Sequence, residues 1–228
     1  MTFHIISLFP EAFDSYLEES IIGRAIGKKK IKVKFYNPRD SLKASASGYK
    51  ATDDKPYGGG PGMVMLAEPI LRAALRAKSN IKKSRSKEVK VETIIFSPGG
   101  KQFTNTLGRQ WAKKYDHLIL ICGRYEGIDD RVRKILEAQE ISIGDYVLTG
   151  GELPAMVVLD AMSRQIPGVL GKLESVEEGR VSSHEVYTRP EVLEWPPKMA
   201  QGKQKKYQVP KVLLSGHHAK INKWRGGK

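Results

Sequence analysis

The sequence predicts an α/β domain built around a mostly parallel sheet that is flanked by helices. Short apolar runs alternate along the chain with segments in which apolar residues recur every three or four positions. Several of the short runs are apolar nearly throughout, as strands covered on both faces are. The predicted strands are Phe3–Leu8, Ile31–Tyr36, Val91–Phe96, His117–Cys122 and Ile141–Leu148.

The predicted helices lie between and after these strands. They are Pro10–Ala25, Glu68–Ala77, Thr104–Lys114, Asp129–Gln139 and Pro154–Arg164. Some have acidic residues in the first turn and basic residues in the last turn, which suits the helix dipole. Because ligands of such sheets bind beyond the carboxyl ends of the strands, the loops that follow the strands are the candidate binding site.

The charge balance predicts a polyanionic partner. Lys and Arg total 39 against 25 Asp and Glu, which leaves a net charge of +14 on 228 residues. Such an excess favours nucleic acid. An anionic membrane is the weaker alternative, because no apolar run approaches the roughly 20 residues of a spanning helix. Cys122 is the single cysteine, and the N-terminus lacks the basic segment of a signal peptide, so we expect a cytoplasmic protein.

The composition changes after Leu170, which predicts three parts of the chain. Residues 1–170 form the α/β domain. Residues 171–186 are charged, small and without periodicity, which is typical of a flexible interdomain linker. Residues 187–228 predict a small, mainly helical basic domain.

Three loops with glycine follow three predicted buried strands. They begin at Ser97, Gly123 and Ser142, and the last of them continues to Gly150 and Gly151. Taken singly, each is an ordinary strand-to-helix turn, but together they predict a backbone-lined pocket for an adenosyl ligand. The densest glycine segment, DDKPYGGGPGM at 53–63, matches neither a P-loop nor a classical dinucleotide motif and stays unassigned.

Several long segments resemble a known family. They are DDKPYGGGPGM, ICGRYEGIDDR (121–131), SIGDYVLTGGELPA (142–155), IPGVLG (166–171), YTRP (187–190) and SGHHAKINKWR (215–225). In this order they resemble the signature segments of bacterial tRNA (guanine-N1)-methyltransferases of the SPOUT class. The resemblance implies a domain with a deep trefoil knot, a rare exception among folds, and a homodimer with active sites at the subunit interface.

The resemblance also implies an S-adenosylmethionine pocket and an activity. The implied reaction is methylation of N1 of the guanosine immediately 3′ of the anticodon in tRNA, with Mg²⁺ as a further implied cofactor. The implied pocket residues, carried over position by position, are Ile95, Phe96, Ser97, Gly123, Glu126, Ser142, Ile143, Gly144, Tyr146, Leu148, Gly150 and Gly151. Glu126 would accept hydrogen bonds from ribose hydroxyls or an amino group.

The chemistry of guanine sets two further requirements. N1 carries a proton at neutral pH, so a general base has to remove it before the nitrogen can accept a methyl group. Negative charge then develops on O6, where a cation or donor stabilises it. In the family an Arg does this, and Arg164 occupies the matching position; taken alone, it is equally well a basic residue at a helix C-terminus.

The general base is where the sequence departs from the family. Gly179 stands where the family has an Asp, and the linker is shorter before YTRP. Glu178 is the expected substitute, followed by Glu185, and Glu177 is a further alternative; each on its own is an ordinary solvated charge. The alternative function is a catalytically impaired or retargeted RNA-binding relative that keeps the fold.

The C-terminal basic residues predict contacts with tRNA phosphates. These residues are Lys203, Lys205, Lys206, His217, Lys220 and Arg225. The adjacent His217 and His218 do not match common metal-ligand spacings, so we predict no protein-bound metal there.

Overall fold

The computed structural model describes residues 1–43, 50–82, 89–170, 185–197 and 203–226. The chain forms two compact units, Met1–Leu173 and Glu174–Lys228. The predicted linker at 171–186 spans this division, and its residues 171–184 lie outside the described ranges.

The first unit contains a five-stranded parallel sheet, which confirms the predicted class. Its strands are β1 (Thr2–Ile6), β2 (Lys32–Tyr36), β5 (Val91–Gln102), β6 (His117–Ile121) and β7 (Gln139–Ser142). They lie in the order β2-β1-β6-β5-β7, and every pair in this sheet is parallel. The central β6 is buried from Leu118 to Ile121, as a strand covered on both faces must be.

Helices cover both faces of this sheet. Their bounds are α1 (Asp14–Leu17), α2 (Ser20–Gly27), α3 (Ala67–Lys82), α4 (Asn105–Lys114), α5 (Arg131–Leu136) and α6 (Glu152–Ser163). Successive strand residues point to opposite faces, so β1 sends Phe3 and Ile5 into one core and Ile6 into the other. The first core includes α6, and the second includes α3.

Several predicted bounds in this unit were wrong. The helix predicted over Pro10–Ala25 is a 3₁₀ turn (Pro10–Phe13) followed by α1 and α2, which are separated where Ser20 takes a φ of 50°. The helix predicted over Asp129–Gln139 is only α5, because Glu137 ends it in the left-handed conformation. The helix predicted over Glu68–Ala77 extends to Lys82. The strand predicted to Leu148 ends at Ser142.

The segment Ser97–Gly100, predicted as a loop, is instead a bulge inside β5. The pairing with β7 stops at Phe96 and resumes at Lys101, and both of these residues face Ile141. The residues between these two pairings have no partner in the β5–β7 register, as in the bulges found at sheet edges and binding sites. Ser97 therefore follows the first paired segment of β5, and from Lys101 the strand pairs with β7 again.

The second unit combines a β-hairpin with two short helices. Strands β8 (Val192–Trp195) and β9 (Lys205–Gln208) pair antiparallel, and helices α7 (Lys211–Leu214) and α8 (His218–Gly226) follow. The predicted mainly helical character therefore missed the hairpin, because both strands lie exposed on all their residues and lack the apolar alternation that marks a strand.

Two further short strands, β3 (Asp53–Asp54) and β4 (Val64–Met65), form a hairpin in the first unit. The glycine segment at 53–63 forms most of this hairpin and its tip. Among the described helices none has both the length and the apolar character that crossing a bilayer requires.

Candidate functional site

A cavity of about 390 Å³ lies beside the bulge of β5 and the carboxyl ends of β6 and β7. The structure brings all the predicted cofactor residues to its wall. They are Ile95, Phe96, Ser97, Gly123, Glu126, Ser142, Ile143, Gly144, Tyr146, Leu148, Gly150 and Gly151. Since neighbouring parallel strands end at the same sheet edge, segments distant in sequence converge there.

The loop after β6 is held by the glycine hairpin that sequence analysis left unassigned. The backbone N–H of Glu126 donates to the carbonyl of Met63 at 3.0 Å. A Cβ on Gly62 would lie 2.5 Å from the Cγ of Glu126, and Gly62 has a φ of +81°. Only glycine satisfies both conditions, so this hairpin positions Glu126 at the cavity. The sequence of neither segment, the glycine hairpin or the loop after β6, indicates that the two lie together.

The segment after β7 closes on itself in a tight turn. The hydroxyl of Ser142 donates to the carbonyl of Gly144 at 2.9 Å and also accepts from its backbone N–H at 3.2 Å. The ring of Tyr146 covers this turn, because a Cβ on Gly144 would lie 2.3 Å from it. The apolar residues that predicted a continued strand therefore form a cavity wall, and Val147 is 83% exposed.

The glycines at 150 and 151 serve the packing of the protein itself. A Cβ on Gly151 would lie 2.6 Å from the Cα of Cys122, and its N–H donates to Gly123 at 2.9 Å. A Cβ on Gly150 would lie 2.5 Å from the Nε of Arg124. These glycines let the loop that follows β7 pack against the end of β6. In this position the loop forms part of the cavity wall.

Two residues that sequence analysis missed form an ion pair at this point. The Nε of Arg124 lies 3.0 Å from the Oε2 of Glu152, without the alignment of a hydrogen bond. Glu152 is buried, which is rare for a carboxylate unless it is paired. In the sequence Glu152 looks like an ordinary acidic residue in a first helical turn, and nothing there indicates its partner.

Two other carboxylates at the cavity, Asp129 and Asp130, are paired with basic residues close in sequence. Arg131 lowers the pKa of Asp129, and Arg133 together with Lys134 lowers the pKa of Asp130 to about 2. Both carboxylates are therefore ionised at neutral pH. Burial raises the pKa of Cys122 well above its usual range, so this thiol stays protonated and is not a nucleophile. Across the described ranges no three His, Cys, Asp or Glu residues converge as metal ligands.

The predicted catalytic residues are distributed over different parts of the chain. Arg164 caps the C-terminus of α6, where its N–H donates to the carbonyl of Asp160 at 3.1 Å, and its side chain is partly buried. Glu185 belongs to the second unit, is exposed, and accepts from the hydroxyl of Tyr187 at 2.7 Å. Glu177, Glu178 and Gly179 lie outside the described residues.

The predicted tRNA-contacting residues are all exposed on the second unit. They are Lys203, Lys205, Lys206, His217, Lys220 and Arg225. Lys206 is partly neutralised by Glu194 at 3.1 Å. The backbone carbonyl of His217 accepts from the N–H of Ile221 at 3.0 Å, so this residue directly precedes α8 and accepts a hydrogen bond from its first turn.

Comparison with known proteins identifies the family. The chain matches the family described as tRNA (Guanine-1)-methyltransferase TrmD over residues 1–228. Three relatives are each named tRNA (guanine-N(1)-)-methyltransferase. The protein from Pseudoalteromonas atlantica is 43% identical over 98% of this chain and 78% of its own length. That from Glaesserella parasuis is 45% identical over 97% and 82%, and that from Clostridioides difficile is 44% identical over 99% and 90%. The chain belongs to the TrmD family of tRNA (guanine-1)-methyltransferases.

Proposed function

We propose that this protein transfers a methyl group from S-adenosylmethionine to N1 of the guanosine immediately 3′ of the anticodon in tRNA. One observation carries the proposal: the residues implied for the cofactor line a single cavity in a member of this family. The names of the relatives favour this activity over an impaired or retargeted RNA-binding protein.

The cavity fits the proposed cofactor. Its volume of about 390 Å³ lies in the range of small-molecule sites, and backbone from three loops forms much of its wall. Glu126, held by the glycine hairpin, supplies an acceptor for ribose hydroxyls, while Ile95, Ile143 and Leu148 offer apolar contacts to an adenine ring. S-adenosylmethionine, when bound, supplies a methyl group activated by its sulfonium.

The protein side chains then have to handle the guanine. Arg164 is the proposed donor to O6, where it stabilises the charge that develops as N1 loses its proton. Glu178 is the proposed base that accepts this proton, with Glu185 and then Glu177 as substitutes, because Gly179 has no group that accepts it. Mg²⁺ is implied only by the family, and the described residues offer no cluster of ligands for it.

The second unit is the proposed tRNA-binding domain. Its hairpin and helices present lysines on exposed surface, and Lys205 has no carboxylate within ion-pair distance among the described residues. Exposed cations of this kind neutralise phosphates and release counterions. Among the described residues of this unit, Ile221 is the single buried apolar residue. Binding of tRNA phosphates by exposed charges does not require a larger core.

The surface of α6 supports a homodimer. This helix is apolar on nearly all sides, and Leu153 and Val157, four residues apart on one face, remain 55% and 46% exposed. Helices apolar all round are normally buried, so a second copy of the chain is the proposed cover. A partner there would adjoin the cavity, whose wall includes Pro154 of the same helix.

The path of the chain supports the proposed trefoil knot. From β7 next to β5, the chain returns to the end of β6, where Gly151 packs against Cys122. The third loop thus passes over a strand that precedes it in sequence. Cys122 is the single cysteine, which supports a reducing, cytoplasmic setting.

Methyl transfer to paired tRNA transcripts tests the function. The transcripts should be identical except that guanosine or adenosine stands 3′ of the anticodon, with labelled S-adenosylmethionine as the donor. We expect label in the guanosine transcript alone, at N1 by nucleoside analysis. Tight binding of both transcripts without transfer would instead select the impaired relative, and label at another position would select a retargeted enzyme.

A further inference from the structure

The pair formed by Arg124 and Glu152 is enclosed on one side and open to the cofactor cavity on the other. The side chain of Glu152 is 5% exposed and that of Arg124 is 26% exposed. Arg124 lines the cavity, whereas Glu152 lies behind it. Among the described residues, Glu152 supplies the carboxylate within ion-pair distance of this guanidinium.

Residues that follow β1 hold the pair from the enclosed side. The hydroxyl of Ser7 donates to the Oε1 of Glu152 at 2.7 Å and accepts from the backbone N–H of Phe9 at 2.9 Å. The Cζ of the Arg124 guanidinium lies over the ring of Phe9, 4.6 Å from the centroid of that ring. This ring stacking and the hydrogen-bonded carboxylate leave Arg124 with one preferred orientation.

The two neighbouring cavity loops are built around this pair. Arg124 forms an isolated bridge with Gly150, and its Nη1 donates to the carbonyl of Thr149 at 3.4 Å. A Cβ on Gly150 would lie 2.5 Å from the Nε of Arg124 and 2.6 Å from the Oε2 of Glu152. The pair therefore occupies the space that a side chain at 150 would need.

We propose that Glu152 is a positioning residue that holds and neutralises Arg124 at the wall of the cofactor cavity, so that the cavity accepts a cationic adenosyl ligand. The inference rests on the proposed function, in which that ligand is S-adenosylmethionine. Its sulfonium is positive, and an unpaired guanidinium in the same cavity would repel it. At an effective dielectric of about 20, a unit charge roughly 10 Å away changes ligand affinity about tenfold.

The test compares S-adenosylmethionine with S-adenosylhomocysteine, which has the same adenosyl group but a neutral thioether. Glu152→Gln leaves Arg124 without its counterion, so we expect affinity for the sulfonium ligand to fall about tenfold more than affinity for the thioether. Arg124→Gln leaves the carboxylate uncompensated, and the ratio of the two affinities should shift in the opposite direction. Calorimetry on folded protein gives both constants.

Two further variants complete the design. In the double variant Arg124→Gln, Glu152→Gln no charge remains, and the ratio of affinities should return to the wild-type value. The exposed pair Arg72 and Glu68 on α3 provides the control, because Glu68→Gln removes a similar contact between residues that do not line the cavity. That control should change neither affinity.

Equal losses for both ligands in Glu152→Gln and Arg124→Gln would overturn the inference, because loop loosening alone does not distinguish ligand charge. Wild-type affinities in both variants would overturn it as well. If Glu152→Gln does not fold, the sign of the shift in Arg124→Gln decides alone, since this side chain is partly exposed. A wild-type protein that binds neither ligand would refute the proposed cofactor itself, which separates the two claims.

Discussion

The two units of the chain are built by different means. The first has an apolar core on each face of a parallel sheet, with Phe3, Phe13 and Leu120 fully buried. The second has hairpin strands exposed along their whole length, and of its described apolar residues Ile221 alone is buried. Close packing fixes atoms to fractions of an ångström, whereas a charged surface needs only the right sign and spacing.

This difference indicates which unit carries each part of the proposed function. A cavity that recognises an adenosyl ligand depends on backbone positions, and the cores behind β5, β6 and β7 fix them. Binding of a phosphate backbone tolerates movement, so lightly packed lysines suffice. Substitutions at the cavity of the first unit should therefore change cofactor binding, and substitutions of exposed lysines in the second should change tRNA affinity.

The largest expected effect is on the chemical step. Glu178→Gln should lower the single-turnover rate roughly 10²–10⁴-fold with tRNA and cofactor affinities nearly unchanged, because only a proton-transfer group is lost. Arg164→Ala should lower the rate by a comparable factor. Glu11→Gln, an exposed carboxylate elsewhere, is the control.

Full activity of Glu178→Gln would move the test to Glu185→Gln, and both residues belong to the second unit. A rate loss in either variant would mean that the second unit contributes to chemistry as well as to tRNA binding. Full activity in both variants would mean that neither carboxylate is the base.

The next effect is on stability and depends on pH. Burial lowers the pKa of His4 from 6.5 to about 4, with His117 and then Lys34 as further causes. Between these values the unfolded chain binds more protons than the folded chain. The free energy of unfolding should therefore be highest above pH 6.5 and fall by roughly 3 kcal/mol as the pH is lowered toward 4.

Denaturant titrations at several pH values measure this loss. The fluorescence of the buried Trp111 reports on the first unit once Trp195 and Trp224 of the second are replaced by Phe. His4→Gln should flatten this part of the pH dependence. A slope that persists in His4→Gln would assign the titration to another group.

A smaller effect is expected at the cavity glycines. Gly151→Val places a Cβ within 2.6 Å of the Cα of Cys122, so the third loop has to move away from β6. We expect S-adenosylmethionine affinity to fall at least tenfold, or about 1.4 kcal/mol. The control is Gly27→Ala, where an added Cβ meets nothing within 4 Å. Unchanged affinity in folded Gly151→Val would remove the assignment of this cavity.

The smallest effects concern single lysines of the second unit. Lys205→Gln should reduce the salt slope of tRNA binding by about one. Lys206→Gln should reduce it less, because Glu194 already neutralises part of that charge. Lys113→Gln on α4 of the first unit is the control. An equal effect at all three positions would indicate diffuse attraction by net charge rather than a defined surface.

Different parts of this molecule were predictable to different degrees. The period of apolar residues predicted the five parallel strands, since that pattern is local. The bulge at Ser97 was not predictable, because it depends on the register between β5 and a strand far along the chain. Ile143 and Val147 favour a strand by propensity, yet they line a cavity.

The three loops of the cavity were predicted from their glycines, and its individual residues through their resemblance to a family. Spacing alone did not indicate that Glu126 packs against Gly62, or that Arg124 pairs with Glu152. Such contacts join residues distant in sequence, and each residue taken alone has an ordinary surface or helix-end explanation. The exposed hairpin of the second unit was missed for the opposite reason, because no apolar pattern marks it.

The salt dependence of both ligands on one protein tests the division between the units most directly. Affinities for S-adenosylmethionine and for tRNA would be measured by calorimetry as salt rises from about 50 to about 200 mM. If five exposed cations at Lys203, Lys205, Lys206, Lys220 and Arg225 neutralise phosphates, tRNA affinity should fall roughly 10²-fold. Cofactor affinity should barely change. A tRNA affinity that stays flat, or a cofactor affinity that falls as steeply, would contradict the assignment of RNA binding to charge and cofactor binding to packing.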